Sequence, residues 1–470
     1  LNTDKLKKIV KNFGYVITSN LLTLIISSLV ILVLPKVIGV NEYGYWQLYT
    51  FYLTYIGFFH FGWCDGIYLK FGGKIYENLD RSYFSSQISS FIIFQSVISL
   101  ISIVLSLVLT DGGDTLFIFI ALSLNFVITN TRLLYIYTLQ TTNRIKDASI
   151  ITIADRFIYA LLLVVLLLLN HVSFKNMIIV DNIGRLISLI YAVIVCREIT
   201  FTPRIQPFKL KDSWDNIKVG SNLMLANIAS NLIIGVVRFA IQKGWDIATF
   251  GKVSLTLSLS NLVMTFINAV GVVVFPMLKR THPDKLSRVY ESMRLLLMLA
   301  MLTVLLSYYP IRLILENWLP AYKVSLEFMG IIFPMVVFEG KTSLLLNTYL
   351  KAMRQEKLIF KINFLSTLMS VFVALISVGL LKSLYLSVCS IVILLAFRST
   401  VLELYLTKLL NIELSKDMFL ELLIVLVFIF ANIFAKIQIS LIIYIMALII
   451  YYCITLNKKN ITLLKSLRDI

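Results

Sequence analysis

The chain has 470 residues, 59% of them hydrophobic and 14% charged, with a formal net charge of +18 and a mean hydropathy of +0.88. Soluble domains are about 45–50% apolar and about 25% charged, so no water-soluble core hides this much apolar surface. The composition gives an all-α polytopic membrane protein and excludes a β-barrel, whose strands alternate over segments of about ten residues.

The basic start (Lys5, Lys7, Lys8, Lys11) leads into a full-length apolar run with no small-residue cleavage site, so no cleavable signal peptide is expected. Fourteen spans are predicted: 13–35, 46–68, 84–109, 115–139, 148–170, 174–196, 215–240, 247–275, 289–310, 326–350, 358–381, 383–407, 417–435 and 438–456. Each is long enough to cross roughly 30 Å of hydrocarbon at about 1.5 Å per residue. With the N-terminus inside, 29 basic residues fall on the cytoplasmic side and 7 on the other. A miscounted span would scramble that asymmetry from its position onward, so both termini are expected to be cytoplasmic. The same loop placement accounts for the positive charge without nucleic acid as a partner. The outside turns are short, and the longest, Pro310 to Lys323, has room for one surface turn.

The expected organisation is an N-lobe over 1–200 (spans 1–6), a cytoplasmic linker over 201–214 with Pro203 and Pro207, and a C-lobe over 215–410 (spans 7–12). Spans 13–14 and a cytoplasmic tail fill 411–470. An internal repeat supports the two lobes. Asn20 and Asn227, Tyr43-Gly44 and Phe250-Gly251, and Leu48 and Leu255 are all separated by 207 positions. Both copies start from the cytoplasm, so the repeat is parallel, an arrangement known in transporters with a site between repeats.

Polar residues recur at helical spacing inside the spans. Ser254, Ser258, Asn261, Thr265 and Asn268 share one face of the eighth; Asn227, Asn231 and Arg238 one of the seventh; Asn20, Thr23 and Ser27 one of the first. Such stripes serve either as helix–helix glue or as the wall of a wet cavity. Deep ionisable residues cost at least about 2.5–3.5 kcal/mol each, which makes them more telling. They are Arg132, Asp181 with Arg185, Arg238, Glu339 with Lys341, and Arg398. Asp181 and Arg185 are four apart and form a self-satisfied pair in the plainer reading. Glu339 and Lys341 are two apart, point to different faces and need separate partners. Asp65, Asp155, Arg156 and Lys252 lie nearer span ends, within reach of snorkelling. Five deep cations against two anions suit an anionic substrate, because guanidinium forks match phosphate oxygens.

The four cysteines and three histidines show no metal-ligand spacing, and no cofactor is expected. There is no GxxxxGK[ST] phosphate loop, and Gly72-Gly73-Lys74 reads as a turn between spans. No Ser/His/Asp or paired-carboxylate set shares an outside loop, so enzymatic activity is not expected.

The strings LPKVIGVNEYGYWQLY (34–49) and FGWCDGIYLKFGGK (61–74), and FPMLKR at Phe275 to Arg280, resemble the Wzx-type polysaccharide flippases. These belong to the multidrug/oligosaccharidyl-lipid/polysaccharide exporter superfamily. The resemblance implies two six-helix bundles with a central cationic cavity, plus two C-terminal helices. It implies transfer of an undecaprenyl-diphosphate-linked glycan across the cell inner membrane for surface polysaccharide, such as O-antigen, coupled to an ion gradient. Implied partners are the lipid-linked oligosaccharide, membrane lipids, a polysaccharide polymerase and a chain-length regulator. Arg132, Arg185, Arg238, Lys341 and Arg398 would meet the diphosphate. Asn20, Asn227, Asn231, Ser258 and Asn261 would meet sugar hydroxyls, and Glu339, Asp65 or Asp181 the coupling ion. Two alternatives stay open: a multidrug/cation antiporter of the same superfamily, which needs an acid-lined cavity, and a membrane glycan polymerase or ligase.

Overall fold

The computed structural model describes residues 3–110, 112–202, 210–280, 286–412 and 417–456; within these, side chains are described over 21–265 and 286–456, together with Gly14 and Thr18. Among the described residues the chain is helical, with no strand. The elements are α1 (Thr3–Val37), α2 (Val40–Ile56), α3 (Trp63–Lys70), α4 (Arg81–Leu109), α5 (Gly113–Thr141), α6 (Ile145–Leu168), α7 (Phe174–Val195), α8 (Arg197–Thr200), α9 (Leu210–Gly244) and α10 (Ile247–Arg280). They continue with α11 (Leu286–Val304), α12 (Tyr308–Trp318), α13 (Lys323–Ile332), α14 (Met335–Lys341), α15 (Asn347–Ala352), α16 (Glu356–Ala374), α17 (Leu384–Leu409), α18 (Asp417–Phe434) and α19 (Ile437–Thr455).

Eleven of the described helices are long and apolar enough to cross a membrane, or twelve if a pair bent by 43° between Ile332 and Met335 is one span. The bend falls at Pro334, whose ring cannot donate to the helical ladder. The chain is a multi-pass membrane protein, and α4 is inside-out relative to a soluble helix. α4 buries Ser85, Ser86, Gln87, Gln95, Ser99 and Ser106 and exposes Ile93, Val97, Leu100, Val104 and Val108. In lipid the apolar face has a ready solvent, and it is the polar groups that need protein partners.

Three expectations are corrected. Residues 46–68 are not one helix: α2 ends at Ile56 and α3 begins at Trp63. Phe61 (φ 51°) and Gly62 (φ 87°) take the left-handed conformation between them. The carbonyls freed by this break are covered by side-chain amides, Asn130 on Ile56 at 3.1 Å and Gln95 on Phe59 at 3.0 Å. Such interruptions persist at membrane depth only when buried in protein. Secondly, the outside loop expected from Pro310 is helical to Trp318, with Pro310 in the first turn of α12, where a missing N–H costs nothing. Thirdly, of the linker placed at 201–214, residues 210–214 already belong to α9, while 203–209 lie outside the described residues.

The chain divides into two compact units, Leu1–Ile228 and Ala229–Ile470, and the division falls inside α9. The offset of 207 reappears in the helix bounds. α1 and α9 are each 35 residues long, starting at Thr3 and Leu210, and α2 and α10 start at Val40 and Ile247. Tyr43 and Phe250 are both buried, as are Leu48 and Leu255.

In the first unit the start of α9 crosses α3 backbone to backbone. A Cβ on Gly66 would fall on the Asn216 carbonyl, and one on Gly220 on the Gly62 carbonyl and the Gly66 nitrogen. Gly62 and Gly66 thus form a small-xxx-small seat for α9. Asn216 adds polar bonds there, donating to the Tyr83 hydroxyl (2.9 Å) and Gln87 Oε1 (3.0 Å). Gly66→Ala is expected to lower the thermal unfolding midpoint of the detergent-solubilised protein, an overpacking cost of about 1–3 kcal/mol or more. Gly14→Ala, whose Cβ meets nothing within 4 Å, should leave the midpoint unchanged or raise it. Equal midpoints for the two variants would refute the close crossing.

Candidate functional site

In the first unit, five charged side chains from three helices meet at mid-helix depth. Arg185 and Asp181 lie one turn apart on α7 and pair at 2.7 Å. Arg132 on α5 pairs with Asp155 on α6 at 2.8 Å. Arg156, next to Asp155, reaches Asp181 at 3.8 Å and Asp155 at 4.0 Å. Tyr49 donates to Asp181 at 2.8 Å, Asn125 donates to Tyr49 at 3.3 Å and to Asn182 at 2.5 Å, and Thr129 donates to Asn125 at 3.0 Å. α6 and α7 come this close because Gly184 faces the Asp155 carbonyl; a Cβ there would lie 3.1 Å from it.

Three guanidinium groups face two carboxylates, which leaves one positive charge over. Four of the five side chains are at most 12% exposed, whereas Arg156 is 34% exposed. The sequence placed Asp155 and Arg156 near a span end. The structure corrects this, because α6 starts at Ile145 and ends at Leu168, which puts both residues at its middle. A snorkelling route to the interface is therefore too long. A guanidinium at that depth facing hydrocarbon would be heavily penalised, so the open side of Arg156 is the natural contact for water or an anion.

The second unit holds another network. Arg294 on α11 and Lys341 at the end of α14 sit between Glu403 on α17 and Glu421 on α18. Arg294 pairs with Glu403 at 2.5 Å and Glu421 at 2.8 Å; Lys341 pairs with Glu403 and, at 2.9 Å, with Glu421. All four are buried, and the partly exposed Asp417 lies 4.0 Å from Arg294, so that two cations face three carboxylates. A small void beside them is lined by Met298, Ser399, Thr400 and Met418. Glu339 pairs instead with Arg398 at 2.6 Å, and Arg398 also donates to Ser230 on α9 at 2.9 Å. The two-residue spacing of Glu339 and Lys341 did require separate partners. Arg238 donates to Ser254 at 2.9 Å and lies over the Phe250 ring.

Within the first unit Arg132 and Arg185 share one network; within the second, Lys341 belongs to another, while Arg398 pairs with Glu339 and Arg238 donates to Ser254. The surplus of cations counted from the sequence mostly disappears, because Asp155, Glu403 and Glu421 are buried beside them. Asn227, Asn231 and Asn261 are exposed and Ser258 is half-buried; the side chain of Asn20 lies outside the described residues. Asp65 is buried and faces His60 Nε2 at 3.6 Å. Among the described residues no cluster of three or more His, Cys, Asp or Glu is placed to hold a metal.

No family model matches the sequence, and no curated protein matches it. Solved structures do. An inward-facing multidrug-resistance MATE transporter of the MOP superfamily superposes with a TM-score of 0.65 over 83% of this chain and 98% of its own, at 11% identity. The lipid II flippase MurJ, in an inward closed conformation, gives 0.64 over 95% of this chain and 98% of its own, at 13% identity. A MOP-superfamily transporter from Pyrococcus furiosus, described as having a binding pocket of reverse polarity, gives 0.53 over 85% and 96%, at 12% identity. The chain has the MOP-transporter fold. These structural neighbours of the MOP fold are transporters and a flippase, not enzymes.

Arg156, Arg294, Glu403, Glu421 and Tyr49 were missed as members of these networks. Arg294 lies near the cytoplasmic end of the ninth predicted span, and Glu403 and Glu421 lie in apolar runs whose partners are distant in sequence. In the MOP fold built here, breaking a buried pair should cost far more than breaking a surface one. Glu421→Gln is expected to destabilise by roughly 3–5 kcal/mol, seen as a large drop in the thermal midpoint. Glu198→Gln, which breaks the exposed Arg81 pair at 2.8 Å, should change stability by about 1 kcal/mol or less. Similar small shifts for both would show that the second network carries no structural load.

Proposed function

We propose that this chain is a flippase for a lipid-linked oligosaccharide. It would carry an undecaprenyl-diphosphate-linked glycan from the inner to the outer leaflet of the cytoplasmic membrane by alternating access, driven by an ion gradient. The observation that carries this reading is the one-third-exposed side chain of Arg156 at the middle of α6, in a network with one positive charge in excess. A diphosphate supplies the missing negative charge, and guanidinium forks bind its oxygens bidentately. A cation exporter of the same fold would need an unengaged carboxylate at this depth, but Asp155 and Asp181 are both held by arginines.

In this reading Arg156 makes the first contact with the headgroup, with Arg132 and Arg185 setting the field behind it. Within the second unit, Arg238 is the residue that would meet an anion. Asn20, Asn227, Asn231, Ser258 and Asn261 offer amides and a hydroxyl to the sugars. Lys341 and Arg398, each buried against its own carboxylate, hold helices together rather than touch substrate. Fourteen spans arranged as two parallel repeats plus two C-terminal helices fit the shared 207-residue offset. The 95% coverage by the lipid II flippase, which takes in more of the chain than the MATE transporter does, also fits. A surface-polysaccharide role would place a polymerase and a chain-length regulator beside it.

Arg156→Ala should cut surface glycan about tenfold or more in cells that depend on this chain, as expected for loss of a charge-assisted contact. The membrane level of the protein should stay normal, because the Arg185–Asp181 and Arg132–Asp155 pairs survive. Arg156→Lys should restore part of the signal. Full surface glycan in the Arg156→Ala strain would refute the assignment.

A further inference from the structure

The first unit's network carries bonding capacity that it does not use. Tyr159 on α6 is 2% exposed, and its hydroxyl has no hydrogen-bond partner among the described residues. A buried hydroxyl left unpaired is costly, and phenylalanine would fill the same space without that cost, so the hydroxyl needs a reason. Arg132 Nε, in the same network, is a second buried donor with no hydrogen bond among the described residues.

The carboxylates are used just as unevenly. Asp181 Oδ2 accepts two short bonds, from Arg185 at 2.7 Å and from Tyr49 at 2.8 Å. Its Oδ1 is held loosely, by Arg185 at 3.5 Å and Arg156 at 3.8 Å. Asp155 Oδ2 pairs with Arg132 at 2.8 Å, whereas its Oδ1 is buried with no hydrogen bond among the described residues. Two donors and two carboxylate oxygens are thus left over in one network.

Helix register brings Tyr159 to Asp181. α6 and α7 are joined by the short turn at 169–173 and run antiparallel. Ser188 donates to the Ile151 carbonyl at 2.7 Å, and a Cβ on Gly184 would lie 3.1 Å from the Asp155 carbonyl and 3.3 Å from the Tyr159 nitrogen. About one turn further on, Asp181 is level with Tyr159, and the phenol lies in the combined field of Asp181, Arg156 and Arg185. The ring is fixed from α2. Trp46 stacks parallel to it at 5.9 Å and lies 5.6 Å from the ring of Tyr49, which already donates to Asp181. Arg156 precedes Tyr159 by three residues, on the same side of α6.

The network therefore has a second satisfied arrangement. When Arg156 turns from Asp181 to an anion, Asp181 Oδ1 loses one of its two loose contacts. The Tyr159 O–H is the spare donor for that oxygen, and the Arg132 Nε–H is the spare donor for Asp155 Oδ1. The guanidinium can then leave without stranding a carboxylate, and a ligand that binds it selects this arrangement. We propose that Tyr159 is the positioning residue that releases Arg156 to the headgroup, its hydroxyl taking over the Asp181 carboxylate as the guanidinium swings to a phosphoryl oxygen. The assignment rests on the flippase reading above.

The test uses the full-length protein in lipid nanodiscs, with farnesyl diphosphate as the probe. Tyr159→Phe should leave the thermal midpoint unchanged or raise it, because it deletes an unspent hydroxyl. The same variant should bind the probe about tenfold or more weakly, because freeing Arg156 then leaves Asp181 short of a donor. A residue that only packs would not separate the two readouts. Adding the probe to the wild type should also shift the infrared band of one phenol, and Tyr159→Phe should lack that shift. A midpoint that falls together with affinity, or a phenol shift that survives Tyr159→Phe, would overturn the role. Wild-type affinity in Tyr159→Phe, alongside lost binding in Arg156→Ala, would overturn it and leave the flippase reading intact. Equal binding by the wild type and Arg156→Ala would overturn both.

Discussion

Charge in hydrocarbon must be neutralised where it sits, and this constraint shapes both halves of the molecule. A lone charge at the bilayer centre is costly enough that nearly every deep arginine or lysine here has a carboxylate or hydroxyl within hydrogen-bond reach. The partners come from different helices: Arg132 on α5 with Asp155 on α6, and Lys341 on α14 with Glu403 on α17 and Glu421 on α18. Each pair therefore fixes helix position as well as charge. Without a hydrophobic force between helices in lipid, such bonds and close backbone contact are what remain to specify packing.

The second device is that close contact. α9 belongs to the first unit up to Ile228 and to the second from Ala229. Its first part is seated on Gly62 and Gly66 of α3. Its later part is held by Arg398 through Ser230, by Thr367 through the Ala229 carbonyl at 2.8 Å, and by Ser370 through the Ile233 carbonyl at 2.9 Å. The start of α9 is thus held by close backbone contact together with the Asn216 hydrogen bonds, and its middle by hydrogen bonds alone. A change at the α2–α3 break acts on the start, where tolerance is least.

Much of the architecture was legible in the residues. Hydropathy located nearly every helix, and the 207-residue offset anticipated that α1 and α9 would begin and end in register. Spacing arguments about single helices also held, as with Asp181 and Arg185 one turn apart and Glu339 and Lys341 on different faces. What stayed hidden were partnerships across helices. Nothing in the run around Glu403 announces Arg294, 109 residues away. Nothing around Asp155 announces Arg132. Counting deep charges one span at a time gave a surplus of cations that three-dimensional pairing mostly removes. The break at Gly57–Gly62 was missed because the apolar run continues through it, and its carbonyls are rescued by Asn130 and Gln95 from distant helices.

The two charged networks differ in charge balance and in exposure. The second unit's square of Arg294, Lys341, Glu403 and Glu421 is buried, with the partly exposed Asp417 at its rim, 4.0 Å from Arg294. It draws α18 onto α11, α14 and α17. The first unit's network has the same ingredients with one guanidinium too many, and the extra group is the one that is open. Burying an unbalanced charge has no structural return, since an apolar residue would pack at lower cost. A surplus retained at the middle of a membrane helix is therefore best explained by something that arrives from outside to complete it, and the group that completes a guanidinium fork is an anion.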